Sequence, residues 1–146
     1  MKISKDIIDY IICNVPSIKR ESGGLLGADI NQNIVRVILD KGIAKEKTSR
    51  YTYFPDIELF NKCIIDWSNY NICFAGIFHT HFANNTVLSD EDIHYIKKII
   101  DFMPNELSDL YFPILLIPEK IFIPFVARLN ENGMVEVKKD ILEIIV

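Results

Sequence analysis

The chain has 146 residues, of which 49% are hydrophobic and 25% are charged, and its formal net charge is −4. This composition is typical of one folded domain and excludes a disordered chain, and the acidic balance argues against a nucleic-acid partner. No apolar run is long enough for a membrane helix, and charges interrupt the first residues, so we expect one cytoplasmic domain over residues 1–146 with no membrane partner.

The N-terminal part combines one helical pattern with two extended ones. Isoleucines from Ile3 to Ile12 recur at helical spacing as far as Pro16, which predicts a first helix of about three turns. Residues 24–28 and 34–39 are rich in strand formers, and the polar stretch between them predicts a β-hairpin.

A basic segment follows this hairpin. Residues 43–50 predict an exposed loop, and residues 50–54 predict a short strand. The cluster contains Lys41, Lys45, Lys47 and Arg50. Such clusters are usually solvated, and the alternative is a contact with an acidic partner.

The centre of the chain predicts two amphipathic helices on either side of an apolar strand. Residues 72–78 are apolar throughout, which is typical of a central strand covered on both faces. The helix before it has Asp56 as a predicted N-cap and apolar residues three and four apart: Ile57, Phe60, Ile64 and Trp67. The helix after it begins near Ser89, ends at Pro104 and carries the periodic apolar residues Ile93, Ile96, Ile100 and Met103.

The C-terminal third predicts strands. Residues 110–117 and 121–129 are strand-like, but the internal prolines Pro113 and Pro124 argue against regular pairing. Residues 130–133 predict a turn, and residues 134–146 predict a strand with an undefined tail. The order of helices and strands predicts an α/β fold with helices packed on a mixed sheet. The three cysteines lack a paired spacing, which predicts reduced, mostly buried thiols.

Two histidines at the end of the central strand indicate a metal site. Side chains two residues apart in a strand share a face, so His79 and His81 can converge on one ion while Thr80 points away. Asp92 is placed to add an anionic ligand, and three protein ligands with one open position are typical of catalytic zinc. The same ligands also accept other divalent ions.

Ser89 and Asp92 also have a purely structural interpretation. The pattern Ser-x-x-acid before an apolar periodic run is a helix-capping motif. The two interpretations are compatible, because a helix that begins at Ser89 holds Asp92 in its first turn and directs it towards the histidines. His94 lies two residues further on, roughly on the opposite helical side, so we expect it at the surface or behind the ligands.

The spacing of these residues resembles the motif of the JAMM metallopeptidases, also called the JAB or MPN family. The matching elements are His-x-His, seven residues, Ser, two residues and Asp, from His79 to Asp92. Glu21 opens the segment Glu-Ser-Gly-Gly-Leu-Leu-Gly, which resembles the family's upstream glutamate and glycine-rich strand. The chain departs from the family at Phe82, where many members have proline, and its Glu21 segment is one apolar residue shorter than a common form.

This resemblance is to a small stand-alone prokaryotic-type JAB domain, and it implies a fold and a set of roles. The implied fold is a mixed sheet sandwiched by helices, related in architecture to the cytidine deaminases. One zinc ion would be held by His79, His81 and Asp92. Glu21 would act as general base and acid, and Ser89 would donate a hydrogen bond to the oxyanion.

The activity implied by the resemblance is zinc-dependent hydrolysis of a peptide or isopeptide bond. The expected substrate is the C-terminal tail of a ubiquitin-like or sulfur-carrier protein. The alternative is a non-catalytic MPN-type binding or scaffold module. The presence of all five motif residues argues against this alternative. The chain has little sequence to spare for a deep pocket or lid, so we expect a cleft for an extended peptide with glycines beside the cut. The sequence indicates no oligomeric state.

Overall fold

The computed structural model describes residues 1–16, 20–43, 53–102 and 108–146. The helices in these ranges are α1 (Lys5–Asn14), α2 (Ile57–Ser68) and α3 (Asp90–Phe102). The strands are β1 (Lys2–Ser4), β2 (Gly23–Ala28), β3 (Asn33–Asp40), β4 (Cys73–Phe82), β5 (Leu110–Tyr111), β6 (Ile114–Ile117), β7 (Ile121–Ile123), β8 (Phe125–Leu129), β9 (Val135–Lys139) and β10 (Glu143–Ile145).

The described strands form one mixed sheet in the order β10-β1-β3-β2-β4-β5-β8-β9, and β6 pairs with both β4 and β7. Strand β4 lies in the middle, antiparallel to β2 and parallel to β5 and β6. The two predicted C-terminal strands are each divided at a proline, Pro113 between β5 and β6 and Pro124 between β7 and β8. The α/β class and the mixed sheet predicted from the sequence are confirmed.

Helices cover both faces of the sheet. On one face, Ile8 and Ile11 of α1 pack in a buried cluster that includes Leu26 and Phe78. On the other face, α2 and α3 pack against the residues next to these two in sequence, Leu25 and Ile77. Neighbouring residues of β2 and β4 are therefore buried on opposite faces, as the continuous apolar run of residues 72–78 predicted.

The two helices beside β4 begin where their caps were predicted. The Asp56 carboxylate accepts a hydrogen bond from the Leu59 amide at 3.2 Å, so Asp56 is the N-cap of α2. Trp67 in this helix is buried, as expected. The Ser89 carbonyl accepts the Ile93 amide at 3.0 Å, which begins α3 at the predicted place.

The two ends of the chain differ from the sequence prediction. Ile3 lies in β1, not in the first helix, because β1 pairs in parallel with β3 and β10. The tail predicted as undefined forms β10 for the same reason. A three-residue strand carries too little periodicity to be recognised, and only its distant partners define it.

Other predictions meet mixed outcomes. Tyr53 and Phe54 lie outside the strands, so the prediction of a strand is wrong for these two residues. Cys13 is exposed on α1, so the prediction of a buried thiol is wrong for this cysteine. Three of the basic residues, together with Met103 and the helix stop at Pro104, lie outside the described residues; Lys41 is exposed. In the part of the chain that the structure describes, no helix is both long and apolar enough to cross a membrane.

Candidate metal centre

The last four residues of β4 bring two imidazoles together on one face of the sheet. The Nε2 atoms of His79 and His81 are 2.7 Å apart, and the ring centroids are 4.5 Å apart with an interplanar angle of 74°. Thr80 between them is buried on the opposite side. Strand alternation therefore produces the pair that the His-x-His spacing predicted.

Hydrogen bonds outside the pair hold each histidine in place. The Nδ1 atom of His81 lies 3.0 Å from the carbonyl oxygen of Asn85, and the side chain of His81 is only 3% exposed. A carbonyl can only accept, so Nδ1 carries the hydrogen and Nε2 of neutral His81 has a free lone pair. The amide of His79 donates to the Pro113 carbonyl at 3.2 Å, which fixes the strand beneath the site.

The first turn of α3 adds a carboxylate. Oδ2 of Asp92 lies 3.4 Å from Nε2 of His79 and 3.5 Å from Nε2 of His81. Its position follows from a reciprocal cap, in which the Ser89 amide donates to Oδ2 at 2.8 Å and the Asp92 amide donates to the Ser89 hydroxyl at 3.0 Å. The predicted cap thus also directs Asp92 towards the histidines.

These three side chains form a possible metal-binding group. Their ligand atoms all lie within 4.8 Å of one another. Ligands at zinc bond lengths on a tetrahedron are about 3.3 Å apart, so both Asp92–histidine separations fit, and the histidine pair would have to open by about 0.6 Å.

The electrostatics of the group agree with a site for a cation. Burial raises the pKa of Asp92, but hydrogen bonds from His79 and His81, the charge of His79 and the Ser89 amide outweigh it and hold that pKa far below its usual range. Burial lowers the pKa of His81, but its bonds to Asp92 and Asn85 outweigh it and raise the pKa above its ordinary value. A carboxylate that stays ionised beside two imidazoles is a strong acceptor for positive charge.

Glu21 lies just before β2, beside the histidines but outside their cluster of ligand atoms. The pairing of Gly23 with His79 continues upstream, since the Thr80 amide donates to the Ser22 carbonyl at 2.8 Å. The hydroxyl of Thr80 accepts the Ser22 amide at 2.9 Å. These bonds set Glu21 level with His81.

The environment of Glu21 raises its pKa above the ordinary glutamate value. The largest cause is burial, and the nearby charges of His79 and His81 partly oppose it, as does the Tyr53 amide, which donates to Oε2 at 3.2 Å. A carboxyl group with a raised pKa holds a proton more readily than a free glutamate, which suits a group that accepts and returns one.

Tyr53 is a residue of the site that the sequence did not reveal. Its ring packs on Gly23, where an added Cβ atom would come within 2.7 Å of the ring and 2.3 Å of the Phe78 carbonyl. Its hydroxyl donates to Oδ2 of Asp40 at 2.8 Å, and burial, followed by the charge of Asp40, raises the pKa of the phenol far above its usual range. Thr80 and Asn85 were also missed, because a contact with main chain 58 residues away, or with a loop carbonyl, leaves no sequence pattern.

Two members of the candidate metal-binding group, His79 and Asp92, line a cleft of about 450 Å³. One wall is the segment from Tyr53 to Pro55, and the other is α3. The cleft is larger than the sequence led us to expect. His94 is exposed and outside the ligand group, as expected, but it lines the same cleft as Asp92 and does not lie on the opposite side of the helix.

Comparisons with known proteins identify relatives in fold only. No protein-family model matches the chain, and no curated protein matches its sequence. A Desulfitobacterium hafniense protein with a solution structure is 17% identical, with a TM-score of 0.63 over 98% of this chain and 91% of that one. A Salinibacter ruber protein, also solved in solution, is 16% identical, with a TM-score of 0.56 over 99% of this chain and 91% of that one. At these identities the similarity shows a shared fold and nothing about activity.

Proposed function

We propose that this chain is a zinc-dependent peptidase or isopeptidase of the JAMM type, with the JAB/MPN fold that is related to the cytidine deaminases. One observation carries the proposal. Two imidazole nitrogens and an ionised carboxylate converge at the end of the central strand, and a half-buried glutamate lies beside them, just before the neighbouring strand. This arrangement supports metal-assisted hydrolysis more directly than any other chemistry of the described residues.

His79, His81 and Asp92 would hold the metal through Nε2, Nε2 and a carboxylate oxygen. Two imidazoles and one carboxylate are a usual donor set for a catalytic zinc ion. When bound, zinc lowers the pKa of a coordinated water to about 7 and polarises the carbonyl of the bond to be cut. The Asn85 carbonyl keeps His81 in the tautomer whose Nε2 is free to bind.

Glu21 would move the proton. As a carboxylate it accepts a proton from the attacking water, and as a carboxylic acid it returns that proton to the leaving amine. Its raised pKa makes the carboxylate a stronger base than a free glutamate, which favours the first half of this cycle. The Tyr53 amide at Oε2 holds the carboxyl group in one orientation while the proton is transferred.

Ser89 would stabilise the negative charge that develops on the carbonyl oxygen. Its oxygen accepts the Asp92 amide at 3.0 Å, and this bond leaves the hydroxyl hydrogen available for donation. The capping bonds also fix the position of the serine oxygen relative to Asp92.

The proposed substrate is the C-terminal tail of a ubiquitin-like or sulfur-carrier protein. The scissile bond lies between Glu21 on the β2 side and Ser89 on the α3 side in this proposal. Residues without side chains, such as a pair of glycines, would meet the least steric conflict between these two residues, and an extended tail would bring its carbonyl to the metal without unfolding the rest of the carrier.

The test compares two fusions of a ubiquitin-like protein, one joined through Gly-Gly and one through Ala-Ala, with zinc-loaded protein. We expect cleavage after Gly-Gly and at least tenfold slower cleavage after Ala-Ala. Equal cleavage of both would remove the tail preference. If generic unfolded peptides are cut and neither fusion is, the protein is a broader metallopeptidase. If zinc binds and nothing is cut, the non-catalytic MPN-type scaffold replaces the proposal.

A further inference from the structure

The cleft beside the metal-binding group extends well beyond the atoms that the reaction needs. It runs from His79 back along β4 to Ile77, which is two residues earlier on the same face of the strand. Along α3 it runs from Asp92 to Lys98, a rise of about 9 Å. Such a length is enough for a side chain in addition to the peptide group at the metal.

Most of the side chains that line this extension are apolar. Its floor is formed by Ile77 and Phe112, which are nearly buried. One wall presents Tyr53, Phe54 and Pro55, and the other presents Tyr95 and Ile96 of α3 together with the exposed imidazole of His94. A charged or strongly hydrated group would lose its water against these apolar side chains without gaining a hydrogen bond. An apolar group is favoured there, because its transfer from water lowers the free energy.

Charges lie at the ends of the extension. Asp90, Glu91 and Asp92 line it at the metal end, in the first turn of α3, and Lys98 lines it at the far end. A cationic side chain reaching the far end would meet Lys98, and an anionic one would have to pass the acidic end. Between these ends the apolar walls offer no partner to either charge, so a charged group that enters the extension loses its water without compensation, whereas an uncharged apolar group does not.

We infer that this extension is a substrate subsite for one large uncharged apolar side chain, aliphatic or aromatic, from a residue next to or near the scissile bond. The inference rests on the proposed function, because the extension adjoins the metal-binding group and its occupant is therefore taken to be part of the substrate. A cavity of about 450 Å³ lies within the range of pockets that enclose organic ligands. The preference for glycine concerns the residues that pass between Glu21 and Ser89, and the subsite selects a different residue of the same tail.

The experiment measures binding without cleavage, so that it is separate from the test of activity. Zinc-loaded Glu21→Gln protein is titrated with acetylated peptides Gly-Gly-X-Gly-Gly, in which X is leucine, asparagine, norleucine or lysine. Leucine and asparagine have nearly the same shape, and so do norleucine and lysine apart from the terminal charge. Methyl NMR signals of Ile77 and Ile96 report occupation of the cleft, and those of the exposed Ile30 and Ile65 serve as internal controls.

We expect the leucine and norleucine peptides to shift the Ile77 and Ile96 signals and to bind about tenfold to a hundredfold more tightly than their polar partners. Replacement Tyr95→Ala removes one wall and should weaken the leucine peptide at least threefold. Tyr70→Ala is the matched control, since Tyr70 is 69% exposed and is not among the residues lining the cleft.

Two results would overturn the subsite. One is equal affinity for the leucine and asparagine peptides, and the other is a leucine preference with no shift at Ile77 or Ile96. Both are read from binding alone, so they differ from a failure of the proposed hydrolysis, in which the parent protein with zinc cuts no substrate even though the leucine peptide occupies the cleft.

Discussion

The hydroxyl of Thr80 accepts the amide of Ser22 at 2.9 Å, while the amide of Thr80 donates to the carbonyl of Ser22 at 2.8 Å. Thr80 lies between the two candidate ligands, and Ser22 follows the candidate base. This pair of bonds therefore joins the two halves of the site, which are separated by 58 residues. Thr80 is only 1% exposed, so water cannot replace a hydrogen bond that is lost here.

The first prediction concerns the pair of hydrogen bonds between Thr80 and Ser22, which forms a clamp between the two halves of the site. Thr80→Val keeps the side-chain shape but leaves the Ser22 amide without its hydroxyl acceptor, so one of the bonds that position Glu21 is lost. We expect kcat to fall about tenfold to a hundredfold with KM little changed, because orientation at the reacting atoms is lost and not substrate binding. The free energy of unfolding should fall by about 1–3 kcal/mol. Steady-state kinetics and urea unfolding measure the two effects.

Thr80→Ser is the matched control for the clamp. It restores the hydroxyl acceptor and should recover most of kcat, although it loses a buried methyl group. A purely structural role predicts a different pattern, in which both variants lose stability and neither changes kcat at temperatures well below unfolding. Parent-like kcat in Thr80→Val would exclude Thr80 as a positioning residue.

The second prediction concerns the metal. The purified protein should bind one zinc ion per chain, with bonds of about 2.0–2.2 Å from His79, His81 and Asp92. His79→Ala and His81→Ala should each lose the ion in metal analysis. His94→Ala should keep it, because His94 lines the same cleft but is not part of the ligand group. If the two ligand variants retain zinc as the parent does, the site lies elsewhere.

The third prediction separates proton transfer from metal binding. Glu21→Gln should retain zinc and fold normally while hydrolysis slows by about a hundredfold or more, because an amide cannot accept the proton. Glu58→Gln, an exposed position in the first turn of α2, should leave the rate unchanged. Zinc content and single-turnover rates decide the matter, and a fully active Glu21→Gln would exclude Glu21 from the mechanism.

The fourth prediction concerns the two roles of Ser89. Ser89→Ala removes both the donor to the oxyanion and the acceptor for the Asp92 amide. We expect a rate loss of about a hundredfold and a stability loss of about 1 kcal/mol from the missing cap. Ser89→Gly, which costs only a few tenths of a kcal/mol at a cap, should show the same rate loss. A glycine variant that keeps the parent rate would leave Ser89 with its capping role alone.

The fifth prediction concerns pH and the stability of the metal-free protein. The pKa of Glu21 is higher in the folded state than in the unfolded chain, chiefly because of burial. Between these two values the folded state binds more protons, so stability falls as pH rises through that window and stays lower above it. Metal-free Glu21→Gln lacks this loss and should be more stable than the parent at pH 7.

Measurements at a series of pH values test the direction of this effect. The advantage of Glu21→Gln should shrink as pH falls towards the unfolded pKa of about 4.3, where the parent carboxyl is protonated in both states. Urea midpoints of the two metal-free proteins at a series of pH values measure it. A parent that is the more stable of the two at pH 7, with the difference vanishing at low pH, would mean that the folded state favours the charged carboxylate.

Most local features of the fold were predictable from the sequence because they depend on neighbouring residues. The apolar spacing along α2 and the continuous apolar run of β4 follow from side-chain periodicity. The caps at Asp56 and Ser89 follow from short side chains that satisfy the first amides of a helix. The facing of His79 and His81 follows from strand alternation, and the first turn of α3 delivers Asp92.

Features that depend on distant pairing were not predictable. The strands β1 and β10 form only because each has a partner from the other end of the chain. The sequence alone determined which residues are equipped to bind a metal and where along the strand and helix they stand. Only the tertiary structure decided that Glu21 lies level with His81, that Thr80 and Tyr53 hold it there, and that an apolar cleft opens beside the ligands. The physical reason is that strand register and the packing of α3 across the sheet are set by contacts between segments far apart in the chain, which no local pattern records.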